Sequence, residues 1–141
     1  MDNLQGLVAA CLAMVVLVSI VGLRLLYCRV TELRRKRVHP QATAQSAQMA
    51  ALTEDSRAAD NFRNLFELPV LFYALVAVAM ATGRTPDWLV TGCWAFVGLR
   101  YLHSLIHCTY NRVFHRLPVF LAGFVLLLLL WVKFFLELSA G

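Results

Sequence analysis

Arg57-Ala-Ala-Asp-Asn-Phe-Arg-Asn-Leu-Phe-Glu-Leu-Pro69 runs without a break into the apolar stretch 70–81, so charged and amide groups stand where a membrane span should begin. On a helix turning about 100° per residue, Arg57, Asp60, Asn61, Asn64 and Glu67 fall within an arc of roughly 120°. They form one polar face rather than a collar. A polar face at the edge of a bilayer calls for a polar counterpart elsewhere in the chain.

Of the 141 residues, 60% are hydrophobic and 15% charged, and the apolar ones gather in long blocks, as in a membrane protein. Four blocks, 4–26, 62–82, 88–110 and 117–138, are each long enough to cross a hydrocarbon core of about 30 Å at about 1.5 Å per residue. The fold class is therefore an all-α integral membrane protein, a four-transmembrane-helix bundle forming one domain over 1–141 with no room for a separate soluble domain. The first block reads as a span rather than a signal peptide. Met1-Asp2-Asn3 carries no positive charge, and the apolar run exceeds the usual hydrophobic region of such a peptide.

Orientation follows from the cations. The first connection carries Arg24, Arg29, Arg34, Arg35, Lys36, Arg37, Arg57 and Arg63, and the third adds Arg112 and Arg116, whereas the opposite side offers Arg84 and Lys133. The positive-inside rule then places the basic connections in the cytoplasm and both termini outside, as in a multi-pass protein of a bacterial inner membrane. Arg34-Arg35-Lys36-Arg37 follows a span directly, so it reads as an orientation signal and an anionic-lipid contact. No aromatic platform or recognition motif accompanies it, which excludes a nucleic-acid partner.

Arg24 and Arg29 are the cations of the first helix able to turn inward, although an Arg near a helix end ordinarily snorkels to the interface. The cytoplasmic loop is expected over about 29–60, with irregular chain at 38–45 around Pro40. From Ser46 to Asp60 the composition favours helix, capped by Thr53 with Glu54 and Asp55, or by Ser56. Pro69 cannot bond the Leu65 carbonyl and should kink the second span. Gly83-Arg84-Thr85-Pro86-Asp87 reads as a tight turn, Gly83 ending one helix and Thr85 or Asp87 starting the next.

The counterpart of the polar face lies on the third span. His103, Ser104, His107, Tyr110 and Asn111 share an arc of about 120° with Arg100, which stands roughly 10 Å inside the hydrocarbon edge. A buried charge at that depth is costly unless it is paired or reaches water, so Arg100 marks either a site or an interhelical ion pair with Glu67. His103 and His107 stand four apart without a third ligand at metal spacing, so no metal site is assigned. Their use for haem or metal would show as a coloured or metal-loaded protein. Cys11, Cys28, Cys93 and Cys108 show no paired spacing and read as small apolar residues. Tyr110 is an interfacial anchor or a catalytic hydroxyl.

Asn64-Leu-Phe-Glu67 followed by Leu68-Pro69 and an aromatic-rich apolar helix, with Arg100 inside the third of four spans, resembles the MAPEG superfamily of membrane-associated proteins in eicosanoid and glutathione metabolism. The resemblance covers about residues 4–138. It implies a homotrimer in which glutathione, a cosubstrate, lies in a cleft between protomers, with Asn64 and Glu67 binding its polar groups and Arg100 contributing from the third helix. The family also places an Arg four residues before the Asn, where this chain has Asp60, so Arg63 or Arg57 would have to replace it. Several members carry a Tyr seven residues after the third-helix Arg; here that position is His107, and Tyr110 follows three residues later.

Glutathione needs cations for its carboxylates, an acid for its amine and a donor for its thiolate. Arg24, Arg57, Arg63 and Arg112 are further cations for its carboxylates. Lowering a thiol pKa of about 8.5 needs a nearby cation or hydroxyl; Arg100 leads the candidates, before His107, Tyr110 and Arg112. The implied function is a membrane-embedded glutathione-dependent transferase or peroxidase acting on a small apolar electrophile that enters from membrane lipid. The alternative is a non-catalytic relative that binds a lipid or a partner protein through the same cleft.

Overall fold

An apolar run free of proline carries the first helix, α1, from Asn3 to Lys36. At about 1.5 Å per residue its 34 residues reach about 51 Å, well beyond a hydrocarbon core of about 30 Å. The helix thus runs on past residue 26, the boundary read from the sequence, through residues assigned there to the loop. It stops where Arg37 adopts a left-handed φ of 53°, letting the Val38 N–H return to the Leu33 carbonyl. Arg34, Arg35 and Lys36 occupy the last turn, where cations offset the negative end of the helix dipole. The computed structural model describes residues 2–43, 45–52 and 55–140.

A 3-10 turn at Pro40–Thr43 leads to the short helix α2, Ser46–Leu52, and then to α3, Arg57–Asn64. The helix expected over 46–60 is therefore two helices. The capping candidates Thr53 and Glu54 lie outside the described residues. Ser56 does sit at the N-cap of α3, yet its own backbone is helical (φ −82°, ψ −8°) and its hydroxyl caps nothing; only its carbonyl serves, accepting from the Asp60 N–H at 2.9 Å.

Pro69 does more than kink the second span. Leu65, Phe66 and Glu67 form a turn, with Phe66 N–H bonding back three residues to Arg63 at 2.9 Å and Glu67 N–H to Asn64 at 3.4 Å. Glu67 takes φ −95°, ψ −90°, and α4 starts afresh as Leu68–Ala81 with Pro69 in its first turn, where a missing N–H costs nothing. At the other end, Gly83 takes φ 68°. Its N–H bonds Met80 and the Arg84 N–H bonds Ala79, which closes the helix.

Helix α5 spans Asp87–Cys108 and α6 Val113–Ala140. Neither Thr85 nor Asp87 caps α5; Pro86 holds the N-cap position without a side-chain bond. Asp87 instead accepts at 2.7 Å from Asn3 Nδ2, which also donates to the Thr85 carbonyl. Counting α3 and α4 together, four helical segments are long and apolar enough to cross a membrane, and the described residues form no strand. This is an all-helical membrane bundle.

Helix α5 is its centre, packed against α6, α1 and α3, while α4 touches α1 and α6. Met14, Phe72, Leu75, Phe96 and Leu127 are fully or almost fully buried between them, with Phe72 and Phe96 stacked at 5.1 Å. Leu129, Phe114 and Phe135 point outward, as lipid-facing positions do. At the end that holds both chain termini, Trp88 donates to Glu137 at 3.0 Å and Lys133 lies 4.2 Å over the Trp88 ring.

Candidate functional site

The break at 65–67 divides the polar face of the second span among separate destinations. Arg57 grips Asp55 through two nitrogens, at 2.8 and 2.7 Å, and donates to the Thr109 carbonyl at 2.5 Å, tying α3 to the end of α5. Those bonds from Arg57 hold the Asp55 carboxyl below the usual carboxylate range. Asp60 and Arg63 line a cavity of about 370 Å³ at the basic end, shared with Arg29, Cys28 and Phe62. Asn61 turns fully inward: its amide donates to Cys108 Sγ at 3.3 Å, and its oxygen accepts from Ser104 Oγ at 3.3 Å. Asn61, Ser104 and Cys108 thus form the interior polar junction between the second and third spans.

Asn64 and Glu67 face elsewhere. One stands at the last turn of α3 and the other in the turn before α4, and they share a cavity of about 200 Å³ with His103 of α5 and Arg116, Leu117 and Phe120 of α6. An amide, a carboxylate, an imidazole and a guanidinium converge there. Arg116 is braced from behind: its Nη1 donates to His107 Nε2 at 2.9 Å and to Asn111 Oδ1 at 2.7 Å. An arginine can only donate, so His107 Nε2 is the acceptor and its imidazole is neutral. His107 is buried and packs edge-on against His103, ring centroids 5.7 Å apart.

Arg100 reaches neither this cavity nor Glu67. It is completely buried, and none of its three guanidine nitrogens has a hydrogen-bond partner. The guanidinium lies between two rings, 5.6 Å from the centroid of Phe96 and 5.2 Å from that of Phe120, an arrangement that offsets part of the charge's desolvation. Glu67 is exposed, so the interhelical ion pair is not formed. Tyr110 is also turned away, 54% exposed with its hydroxyl 3.2 Å from His115 Nδ1. Arg112 is exposed on the following turn, its carbonyl bonded by His115 and Arg116. Arg24 borders an apolar groove between α1 and α5 with Leu17, Tyr101 and Leu105.

The four cysteines are free thiols, and among the described residues no three metal-binding side chains gather. Arg116 and Phe120 are the participants that helical periodicity on the second and third spans could not show. A signal for Arg116 exists: Arg116-Leu117-Pro118 repeats, at the start of the fourth span, the charge-Leu-Pro pattern of Glu67-Leu68-Pro69. Both charged residues line the same cavity.

A family model described as MAPEG family matches residues 7–136, spanning all four membrane segments. The chain belongs to the MAPEG family. It is therefore an integral multi-pass membrane protein of the eicosanoid and glutathione metabolism type. No match was found among curated proteins or among solved structures. The MAPEG match takes in both walls of the cavity, the Asn64-to-Glu67 step and the Arg116 turn.

Proposed function

We propose that this chain is a membrane-embedded glutathione-dependent transferase or peroxidase acting on an apolar electrophile. The observation that carries the reading is the convergence of Asn64, Glu67, His103 and Arg116 on one cavity in a MAPEG chain. Glu67 supplies an anion for the peptide's ammonium, Asn64 an amide for its backbone, and Arg116 a cation for its thiolate or carboxylate. Arg116 replaces Arg100 as the group meeting the ligand first. His107 and Asn111 hold its guanidinium in place, so a cation next to the sulfur favours the thiolate without reorganisation. The thiolate then attacks the electrophilic carbon of an apolar substrate and displaces its leaving group. With a hydroperoxide it attacks the terminal oxygen instead, breaking the O–O bond; the departing alkoxide takes up a proton and leaves as an alcohol, and a second glutathione thiol reduces the resulting sulfenic acid to the disulfide with release of water.

Ligand pockets usually measure about 300–1,000 Å³, and this cavity holds about 200 Å³. A neighbouring protomer supplies the missing wall, in keeping with a homotrimer and with glutathione held between subunits. The expected membrane is a bacterial inner membrane with the basic connections in the cytoplasm; reporters fused to either terminus should be read on its outer face. Purified protein should bind glutathione in calorimetry and conjugate a generic electrophile. Glu67→Gln or Arg116→Gln should each weaken binding about 10- to 100-fold, the scale of one charged hydrogen bond. Absence of any glutathione binding by the wild-type trimer would refute the proposal.

A second reading is favoured by the lack of a hydroxyl among the cavity's lining residues and by Tyr110 facing His115. In it, a non-catalytic relative uses the same cleft for a lipid or a partner protein. Glutathione binding without turnover on any electrophile or peroxide would select it.

A further inference from the structure

The cavity and the buried arginine share one residue. Phe120 lines the cavity and also lies against the Arg100 guanidinium, its ring centroid 5.2 Å from Cζ. On the cavity side the same ring meets His103, with centroids 5.8 Å apart. Arg100 behind it is wholly buried, with all three nitrogens unbonded. Burying a guanidinium without hydrogen bonds is among the costliest arrangements a core can hold, and two aromatic faces return only part of that cost. The fourth span has also left space for the charge. A Cβ on Gly123 would lie 3.1 Å from Arg100 Nη2, so the guanidinium occupies room that any other residue would fill.

We infer that Arg100 is the floor of a recessed anion subsite, closed by the Phe120 side chain and opened when that ring turns aside. Its ligand is a carboxylate group of the molecule occupying the outer cavity. The outer cavity already offers Arg116 to one anionic group; a second anion has a cation waiting one ring deeper. Phe120 thereby sets specificity. A ligand with a single anionic group is satisfied by Arg116 and leaves the ring shut, whereas a ligand with two draws it open, because Arg100 gains the charge-assisted bonds it lacks. The subsite rests on the glutathione reading only for the identity of that ligand; the closed door and the unbonded cation do not depend on it.

Two measurements on the purified protein in lipid nanodiscs test this separately. The first is the rate at which phenylglyoxal, an arginine-specific reagent, modifies Arg100, followed by peptide mass spectrometry without glutathione. Phe120→Ala should raise that rate several-fold, and Phe120→Leu, which keeps apolar bulk and protects against misfolding, should raise it less. Equal rates in all three proteins overturn the gate. The second compares binding of glutathione with that of glutathione esterified at its glycyl carboxylate and with that of its diester. Arg100→Gln should weaken glutathione about tenfold or more, as loss of a charged hydrogen bond does, and leave the diester unchanged. Equal weakening of glutathione and diester overturns the carboxylate assignment. If wild-type protein binds neither peptide, the glutathione reading falls while the labelling rates still decide the gate.

Discussion

Arg100 shows how a residue whose depth and helix face follow from spacing can still miss a partner that the same spacing offers. Its depth in the third span and its place on the polar arc are legible from spacing alone. Its partner is not, because Glu67 leaves the helical frame at the Leu65–Glu67 turn. What surrounds Arg100 instead is two rings and a glycine, none of which carries a charge signal in the sequence. Gly123→Ala should therefore push the guanidinium from its slot and lower bundle stability by about 1–3 kcal/mol, the usual range for overpacking. Thermal unfolding in detergent reads it, and an unchanged midpoint would mean that the slot is slack. Asp55 offers a test outside the membrane. Its folded pKa is depressed by Arg57, so its contribution is present above the unfolded value of about 4 and is lost as the pH falls through the folded one. For a pair this exposed the effect is about 0.2–1 kcal/mol. Melting curves between neutral and strongly acidic pH should show Asp55→Asn abolishing that part of the acid sensitivity, with the two proteins converging once the pH lies below the depressed folded pKa.

At the scale of the helices, Pro69 decides what the second span presents. Its ring removes the N–H that would have bonded Leu65, and the chain responds with a turn that starts a new helix rather than a bend in an old one. That turn sends Asn61 into the core while Asn64 and Glu67 line the outer cavity. Proline made a disturbance readable in the sequence; its size was not readable, because whether a helix bends or restarts depends on the packing on both sides of it. Pro69→Ala should let α3 and α4 fuse. Helical circular dichroism is then expected to hold or rise while glutathione affinity falls by about tenfold, the worth of one misplaced charged contact. Unchanged affinity in a fused helix would show that the turn is not what aims Glu67. The end of α1 went unread for a different reason. Hydropathy falls at Arg24, but the backbone has no cause to stop there, since Cys28 to Lys36 contains neither glycine nor proline.

Across the whole molecule, the number of spans and the all-helical class follow from block length, and they agree with the MAPEG match over residues 7–136. The cavity was only half visible. Its wall on α3 and the following turn carries the Asn64-to-Glu67 step, whereas its wall on α6 lies in a span whose composition is overwhelmingly Leu, Phe and Val. The overshoot of α1 acts on a different quantity, the rate of encounter. From Arg24 to Lys36 is about 18 Å of helix at about 1.5 Å per residue, whereas the headgroup layer adds only about 5–8 Å to each side of the hydrocarbon. Held upright, Arg34, Arg35 and Lys36 would stand in water, above the lipid phosphates, on a stem tied to the Leu52 carbonyl through Lys36. Standing within about one Debye length of the headgroups, about 8 Å, they extend outward the field that an approaching polyanion meets. Capture of an anionic peptide should accordingly slow as salt is raised while its dwell time stays constant. Truncating that charge, as in a triple Arg34→Gln, Arg35→Gln, Lys36→Gln variant, should flatten the salt dependence of kon and spare koff, a separation that stopped-flow fluorescence can resolve.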